Sequence, residues 1–123
     1  MKRLIIALFC LPVVAVAGMS DADLNKLAAE VNKQTPVMVD KETQLVKASG
    51  GNNTLTYHYK MINYAAKDMD KKKFETAIRD ALVKSACPTI KPMLNAGIRV
   101  AYNYVGKSDE QISTVTLTGS DCK

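Results

Sequence analysis

The segment from Cys87 to Cys122 constrains the fold of this chain more than any other stretch. It contains the end of a helical pattern, a glycine at position 97, two strand-like runs and a closing cysteine. A bond between the two cysteines would join these elements into one unit, on which the rest of the domain would pack. Whether the cysteines are bonded depends on the compartment, because disulfides persist mainly outside the cytoplasm.

The N-terminus predicts export. Basic residues at positions 2–3 precede an apolar run over 4–14, which has the length of a signal-peptide core. The run ends in the small-x-small sequence Ala-Val-Ala, which places cleavage between Ala17 and Gly18. It is too short to cross a bilayer, so no transmembrane segment is expected after the leader is removed. An uncleaved anchor is the alternative, and a periplasmic or secreted protein is the expectation.

Cys10 falls inside this predicted leader. A lipid-attachment cysteine needs small residues before it, whereas Leu8 and Phe9 precede Cys10, so a lipid anchor is not expected. The mature chain then keeps two cysteines, Cys87 and Cys122, and an even count in an exported chain predicts a disulfide. A metal pair or a reactive thiol is the alternative, but metal sites need more ligands, and no Cys-x-x-Cys is present. Neither a metal nor another cofactor is expected.

The predicted mature chain, residues 18–123, has the length of one domain with one core. Without the leader it holds 15 basic and 12 acidic residues, a net charge of +3 that is spread along the chain. Nucleic-acid-binding proteins concentrate basic residues on one face, so no nucleic-acid partner is expected. The one basic run, Lys71–Lys73, is typical of a solvated face, with an anionic partner or lipid head group as the alternative.

Two helices are predicted from the spacing of apolar residues. The first begins at Ser20, a residue type that caps helix N-termini, and ends before Pro36. An extended link follows Pro36. The second helix begins at Asp68 or Asp70 and is stopped by Pro88, directly after the first cysteine of the pair. One short helical turn is predicted beyond it.

Four strands are predicted, in two hairpins. Residues 42–48 and 55–62 flank a turn rich in glycine and asparagine, and residues 98–105 and 111–118 flank a second turn. The apolar pattern of the last strand slips, and a bulge near Ser113 would reconcile it.

The predicted fold is therefore α+β, in the order α-β-β-α-β-β. It has a four-stranded antiparallel sheet, two long helices packed on one face, and one disulfide. The apolar face of the second helix would contact the strand tyrosines. This face and its expected partners are Phe74, Ile78 and Leu82 against Tyr57, Tyr59, Val100 and Tyr102.

Asp40, Thr43 and His58 are the candidate residues for a surface site. His58 is the only histidine, and it lies mid-strand on the more polar face, so a solvated histidine is favoured over a catalytic base. No nucleophile motif accompanies it. Asp40 and Glu42 lack the separation of a glycosidase pair, and Asp40 is expected to cap a turn close to Thr43. The strand tyrosines are expected to form core pairs rather than a stacking platform.

The C-terminal half resembles a family of small exported bacterial proteins that includes quorum-sensing-regulated virulence factors. It also resembles the C-terminal domain of the alternative type II secretion pilotin. The residues that carry the resemblance are Phe74, Cys87, Leu94, Gly97, Tyr102, Asp121 and Cys122. A pilotin of this kind is a lipoprotein that carries its secretin to the outer membrane, whereas this sequence lacks a lipid-attachment site. The resemblance implies the fold more strongly than the function.

These observations predict an exported, non-enzymatic binding or accessory domain that contacts an unidentified envelope protein. The expected process is secretion or virulence. Two alternatives stay open. One is a small envelope-modifying hydrolase that uses His58 with Asp40 or a tyrosine. The other is an inhibitor or immunity protein, for which size and export fit but no residue is diagnostic.

Overall fold

The computed structural model describes residues 19–123. The predicted leader, with Cys10 and the cleavage site at Ala17 and Gly18, lies outside the described residues. The described part forms two helices and five strands, with short 3-10 turns at Ala66–Asp68 and Gly119–Asp121. In chain order they are α1 Asp21–Asn32, β1 Val37–Met38, β2 Thr43–Gly51, β3 Thr54–Met61, α2 Lys71–Asn95, β4 Arg99–Val105 and β5 Gln111–Leu117.

The sheet is mixed, so the prediction of four antiparallel strands is wrong in both number and direction. Its order is β1-β2-β3-β4-β5, and every neighbouring pair is antiparallel except β3 and β4, which run parallel. The cause is α2, which carries the chain from the end of β3 back to the end where β3 began. A strand that follows such a helical crossover lies parallel to the strand before it. The α+β class and the single disulfide are confirmed.

The fifth strand is the segment predicted as an extended link after Pro36. Val37 pairs with Leu45 and Met38 with Gln44, so β1 covers only the first part of the β2 edge. Two residues are too few to show a strand pattern in the sequence. This strand exists only because the chain lies alongside β2.

Asn32, the last residue of α1, covers the next part of the β2 edge. Its side-chain amide donates to the Ala48 carbonyl oxygen at 3.0 Å, and its side-chain oxygen accepts the Ala48 N–H at 2.7 Å. Both backbone groups of Ala48 are therefore paired without a strand beside them, which blunts an exposed sheet edge. Gly50 permits the close approach of α1, because a Cβ there would lie 2.7 Å from the backbone of Leu24.

Helix α1 begins as predicted. The hydroxyl of Ser20 accepts the backbone N–H of Asp23, and the Asp23 carboxylate accepts the N–H of Ser20, which is a complete capping box. The apolar face of α1, which consists of Leu24, Leu27, Ala28 and Val31, is buried.

Helix α2 begins at the Asp70 cap but continues through Pro88 and Pro92 to Asn95, so the predicted stop after Cys87 is wrong. A proline inside a helix costs about 3 kcal/mol, since it removes a hydrogen bond and crowds the preceding turn. Here Ile90, Met93 and Leu94 are buried in the core, and burying a side chain of this kind contributes about 1.5–3 kcal/mol. Tertiary packing therefore outweighs the local cost. The predicted left-handed exit at Gly97 is present, with φ +89°.

One hydrophobic core contains the buried faces of both helices and of β2 to β5, so both helices cover the same face of the sheet, as predicted. Leu55, Tyr57, Tyr59 and Met61 alternate into this core along β3. Two bulges keep the phase of the strands. Val46 interrupts the register between β2 and β3, and Ile112 interrupts the register between β4 and β5, one residue from the predicted bulge at Ser113.

The predicted disulfide is present. Cys87 and Cys122 are both buried, with their Cα atoms 5.3 Å apart, so the bond ties α2 to the tail that follows β5. The guanidinium of Arg79 reaches the same tail, 3.5 Å from the Asp121 carboxylate.

Candidate binding surfaces

The two faces of the sheet differ in chemistry. The helices cover one face, and we call the other the open face. Across β2 to β5 it carries polar side chains, most of which are partly or fully exposed. Its polar members are Gln44, Lys47, Ser49, Thr54, Thr56, His58, Lys60, Arg99, Asn103, Gln111, Thr114 and Thr116.

The charge of the open face has one sign. Strands β2 to β5 contain no aspartate or glutamate, and their charged residues are Lys47, Lys60 and Arg99. The nearest acid with a contact to this set is Asp109, in the turn between β4 and β5, whose carboxylate lies 3.2 Å from the Lys60 ammonium. Lys47 makes no ion pair with any of residues 19–123.

His58 lies in the middle of the open face. It pairs with Lys47 across β2 and with Asn103 across β4, and its Nε2 lies 3.1 Å from the Ser49 hydroxyl oxygen. Partial burial and, to a smaller extent, the charge of Lys47 lower the pKa of His58 from its usual 6.5. The imidazole is therefore held in its neutral form at neutral pH.

Next to His58 an amide and hydroxyl network holds the side chains of β4 and β5 in place. The Asn103 side-chain oxygen accepts from the Gln111 amide at 2.7 Å and from the Thr114 hydroxyl at 2.7 Å. The Gln111 amide also donates to the Thr114 hydroxyl at 3.1 Å. These contacts give this part of the open face a fixed pattern of hydrogen-bonding groups.

The three predicted surface-site residues, Asp40, Thr43 and His58, do not lie together on one surface of the structure. The Asp40 carboxylate accepts the backbone N–H groups of Glu42 and Thr43, both at 2.8 Å, so it forms the predicted turn cap. Thr43 is buried on the core side, with its hydroxyl 3.5 Å from the Met61 sulfur. His58 lies on the opposite face. A shared role for these residues stays a prediction.

On the helix-covered face, tyrosine rings form a row across β3 and β4. Ring centroids lie 5.6 Å apart for Tyr57 and Tyr102 and 5.1 Å apart for Tyr59 and Tyr104. Phe74 of α2 meets Tyr104 edge-to-face at 5.2 Å, which agrees with the predicted direction of the α2 apolar face. The tyrosines therefore serve as core pairs and line the sheet beneath α2.

The first half of α2 buries its apolar residues only in part. Phe74, Ile78, Leu82 and Val83, which we call the α2 strip, pack against the core but remain partly accessible to solvent. The hydroxyl of Tyr102 is buried and has no hydrogen-bond partner among residues 19–123. Burial raises the pKa of this phenol, so the group stays protonated and able to donate. Apolar side chains that remain partly exposed along one helix are typical of a protein-binding surface.

Neither helix of the described region has the length and hydropathy of a membrane span. In the same region no three histidine, cysteine, aspartate or glutamate side chains are grouped so that they could share a metal ion.

No family model and no curated protein matches this sequence. Solved structures do match it. A protein of Pseudomonas aeruginosa that is thought to be secreted has a TM-score of 0.66 and 20% identity, covering 87% of this chain and 99% of that one. EpsS, the pilotin of the Vibrio vulnificus type 2 secretion system, has a TM-score of 0.65 and 10% identity, covering 84% and 91%. The type II secretion pilotin AspS from Vibrio cholerae has a TM-score of 0.63 and 11% identity, covering 83% and 91%.

The chain has a pilotin-like fold. The resemblance seen in the sequence is confirmed by these three structures. The matched region covers 91–99% of each of these structures. At these identities the likeness shows the fold alone.

Sequence reasoning did not identify the open face as a surface of one charge. The signal was available, because the strand segments lack acidic residues while the rest of the chain is rich in them. The three basic residues are far apart in sequence, and only the strand register places them on one face.

Proposed function

We propose that this protein is an exported, non-enzymatic accessory protein that binds a protein partner of the cell envelope, in a secretion process. The pilotin-like fold supports a secretion-associated role, since two of its structural neighbours are type II secretion pilotins. The predicted leader supports a location in the periplasm or outside the cell.

The α2 strip is the observation that carries the partner proposal. A side chain that is apolar and partly exposed gains from burial by a partner, at about 25 cal/mol per Å² of apolar surface. The strip is continuous over three helical turns because its members recur at helical spacing.

Affinity capture from an envelope extract, followed by mass spectrometry, tests this function. The bait is the predicted mature chain, residues 18–123, and two variants of it are tested in parallel. Ile78→Lys places a charge in the α2 strip, whereas Ala77→Lys places the same charge one residue away, at an exposed position of α2. We expect a secretion component to be captured by the native chain and by the Ala77 variant, and to be lost with the Ile78 variant.

Both variants are first shown by circular dichroism to be folded. Capture that is the same with both variants would exclude the α2 strip as the interface. Recovery of no specific envelope protein by the native chain would exclude the accessory function.

A hydrolase is the second candidate, and the contact between the Ser49 hydroxyl and His58 Nε2 favours it. A serine nucleophile needs a base at this distance, with the base oriented by a third group. Among residues 19–123, no carboxylate is bonded to His58. We expect the purified protein to hydrolyse p-nitrophenyl acetate no faster than its Ser49→Ala variant does. A rate that depends on Ser49 would favour the hydrolase over the accessory protein.

A further inference from the structure

The open face has the charge of an anion-binding surface. Lys47 lies directly opposite His58 and diagonal to Lys60, and Arg99 stands at the other end of the sheet. The groups that face His58 are Lys47, Ser49 and Asn103, none of which is negative. Asp109 offsets Lys60 from one side only and is largely exposed, so the surface between Lys47 and Lys60 keeps a positive potential.

The dimensions of this face favour an anionic ligand that is linear. Four neighbouring strands at about 4.8 Å spacing form a surface roughly 14 Å wide. The row Lys47, His58, Asn103, Thr114 crosses all four strands, since each residue pairs with the next. A linear molecule lying across the strands would meet cationic groups first and the amide and hydroxyl network next.

The other residues of the open face indicate which class of linear anion it would bind. The backbone N–H and C=O groups of paired strands are engaged in the ladder, so a peptide cannot add to this face as a strand. Threonine, serine, asparagine and glutamine side chains supply the donors and acceptors instead, which suits a ligand rich in hydroxyl groups. The tyrosines of β3 and β4 all point into the core, so these strands give the face no ring on which a nucleic-acid base would stack.

We propose that the open face binds a linear acidic polysaccharide, with Lys47 and Lys60 contacting its carboxylates and Ser49, Asn103 and Thr114 contacting its hydroxyl groups. This surface lies on the opposite side of the sheet from the α2 strip. A polysaccharide and a protein partner could therefore be bound together, and the two proposals fail independently.

His58 reports on this site directly because it is the only histidine of the chain. Its ring is followed by NMR as a function of pH in the presence of polygalacturonate oligomers, with neutral dextran as a control. A carboxylate held within about 5 Å favours the charged imidazole, so we expect the pKa of His58 to rise by about half a unit with polygalacturonate only.

Affinity is then compared between charge variants. We expect Lys47→Gln combined with Lys60→Gln to weaken polygalacturonate binding about fivefold or more, since each exposed ion pair contributes up to about fivefold. Lys72→Gln removes one charge from the exposed N-terminal turn of α2 and is expected to change the affinity less than twofold.

Three results would overturn the proposal. An unchanged His58 resonance in the presence of polygalacturonate would exclude binding at this face. An equal loss of affinity with Lys72→Gln would show attraction to net charge rather than to a site. Binding of polyglutamate as tight as that of polygalacturonate would show that sugar hydroxyl groups are not recognised.

Discussion

Removal of the Cys87–Cys122 bond is expected to destabilise the protein strongly. The cysteines are 35 residues apart in sequence. In the chain-entropy model, opening a loop of this length costs about 4 kcal/mol at 25 °C, because the unfolded chain regains the freedom that the bond removed. Alanine at both positions removes the bond without burying new polar groups.

This loss converts into a large shift in melting temperature. An unfolding entropy of roughly 2.1 cal/mol/K per residue, applied to residues 19–123, gives a fall in Tm of about 18 °C. The tail after β5 should also become more mobile, because the disulfide attaches it covalently to α2. The Arg79–Asp121 ion pair would then be the remaining charged contact between the tail and α2.

Thermal unfolding followed by circular dichroism measures this shift. The Cys87→Ala, Cys122→Ala protein is compared with the native protein in the presence and absence of a reductant. The reductant should lower the Tm of the native protein toward that of the variant and leave the variant unchanged. A native Tm that falls by less than about 5 °C on full reduction, or two titratable thiols in the purified protein, would refute the reasoning.

Two further predictions concern the sheet. Asn32→Ala should destabilise the protein by about 2 kcal/mol, because two hydrogen bonds to Ala48 are lost at about 1 kcal/mol each. Urea denaturation measures this, Lys33→Ala at an exposed ion pair is the near-neutral control, and equal midpoints for the two variants would contradict it. For His58, the native pKa lies below the unfolded value of about 6.5, so the unfolded chain takes up the proton first as the pH falls. Stability should therefore decline from pH 7 through pH 6.5 until the native pKa is passed, and a His58→Gln protein that keeps the same decline would show another group to be responsible.

The local features of the fold were predictable because short-range chemistry determines them. The Ser20 cap, the alternation of β3 and the left-handed residue at Gly97 each depend on a few neighbouring residues. The turn between β2 and β3 is another case, since Asn52 and Asn53 adopt the positive φ values that asparagine tolerates. The disulfide followed from the count of cysteines and the predicted export.

The candidate surfaces were predictable only in part. The sequence placed His58 on the polar side of its strand, and that position is observed. It did not place Lys47 beside His58, because the bulge at Val46 shifts the register by one residue. The contact between Ser49 and His58 depends on the same shift.

By itself, the sequence determined which faces of α1 and β3 enter the core, that α1 begins after Ser20 and which cysteines are paired. The tertiary structure alone decided that β3 and β4 run parallel, that β1 exists and that α2 passes through two prolines. The physical reason is the distance along the chain over which each interaction acts. Periodicity and capping act within one or two turns, whereas strand partners, helix length through a proline and the charge of a sheet face depend on burial shared among residues distant in the chain.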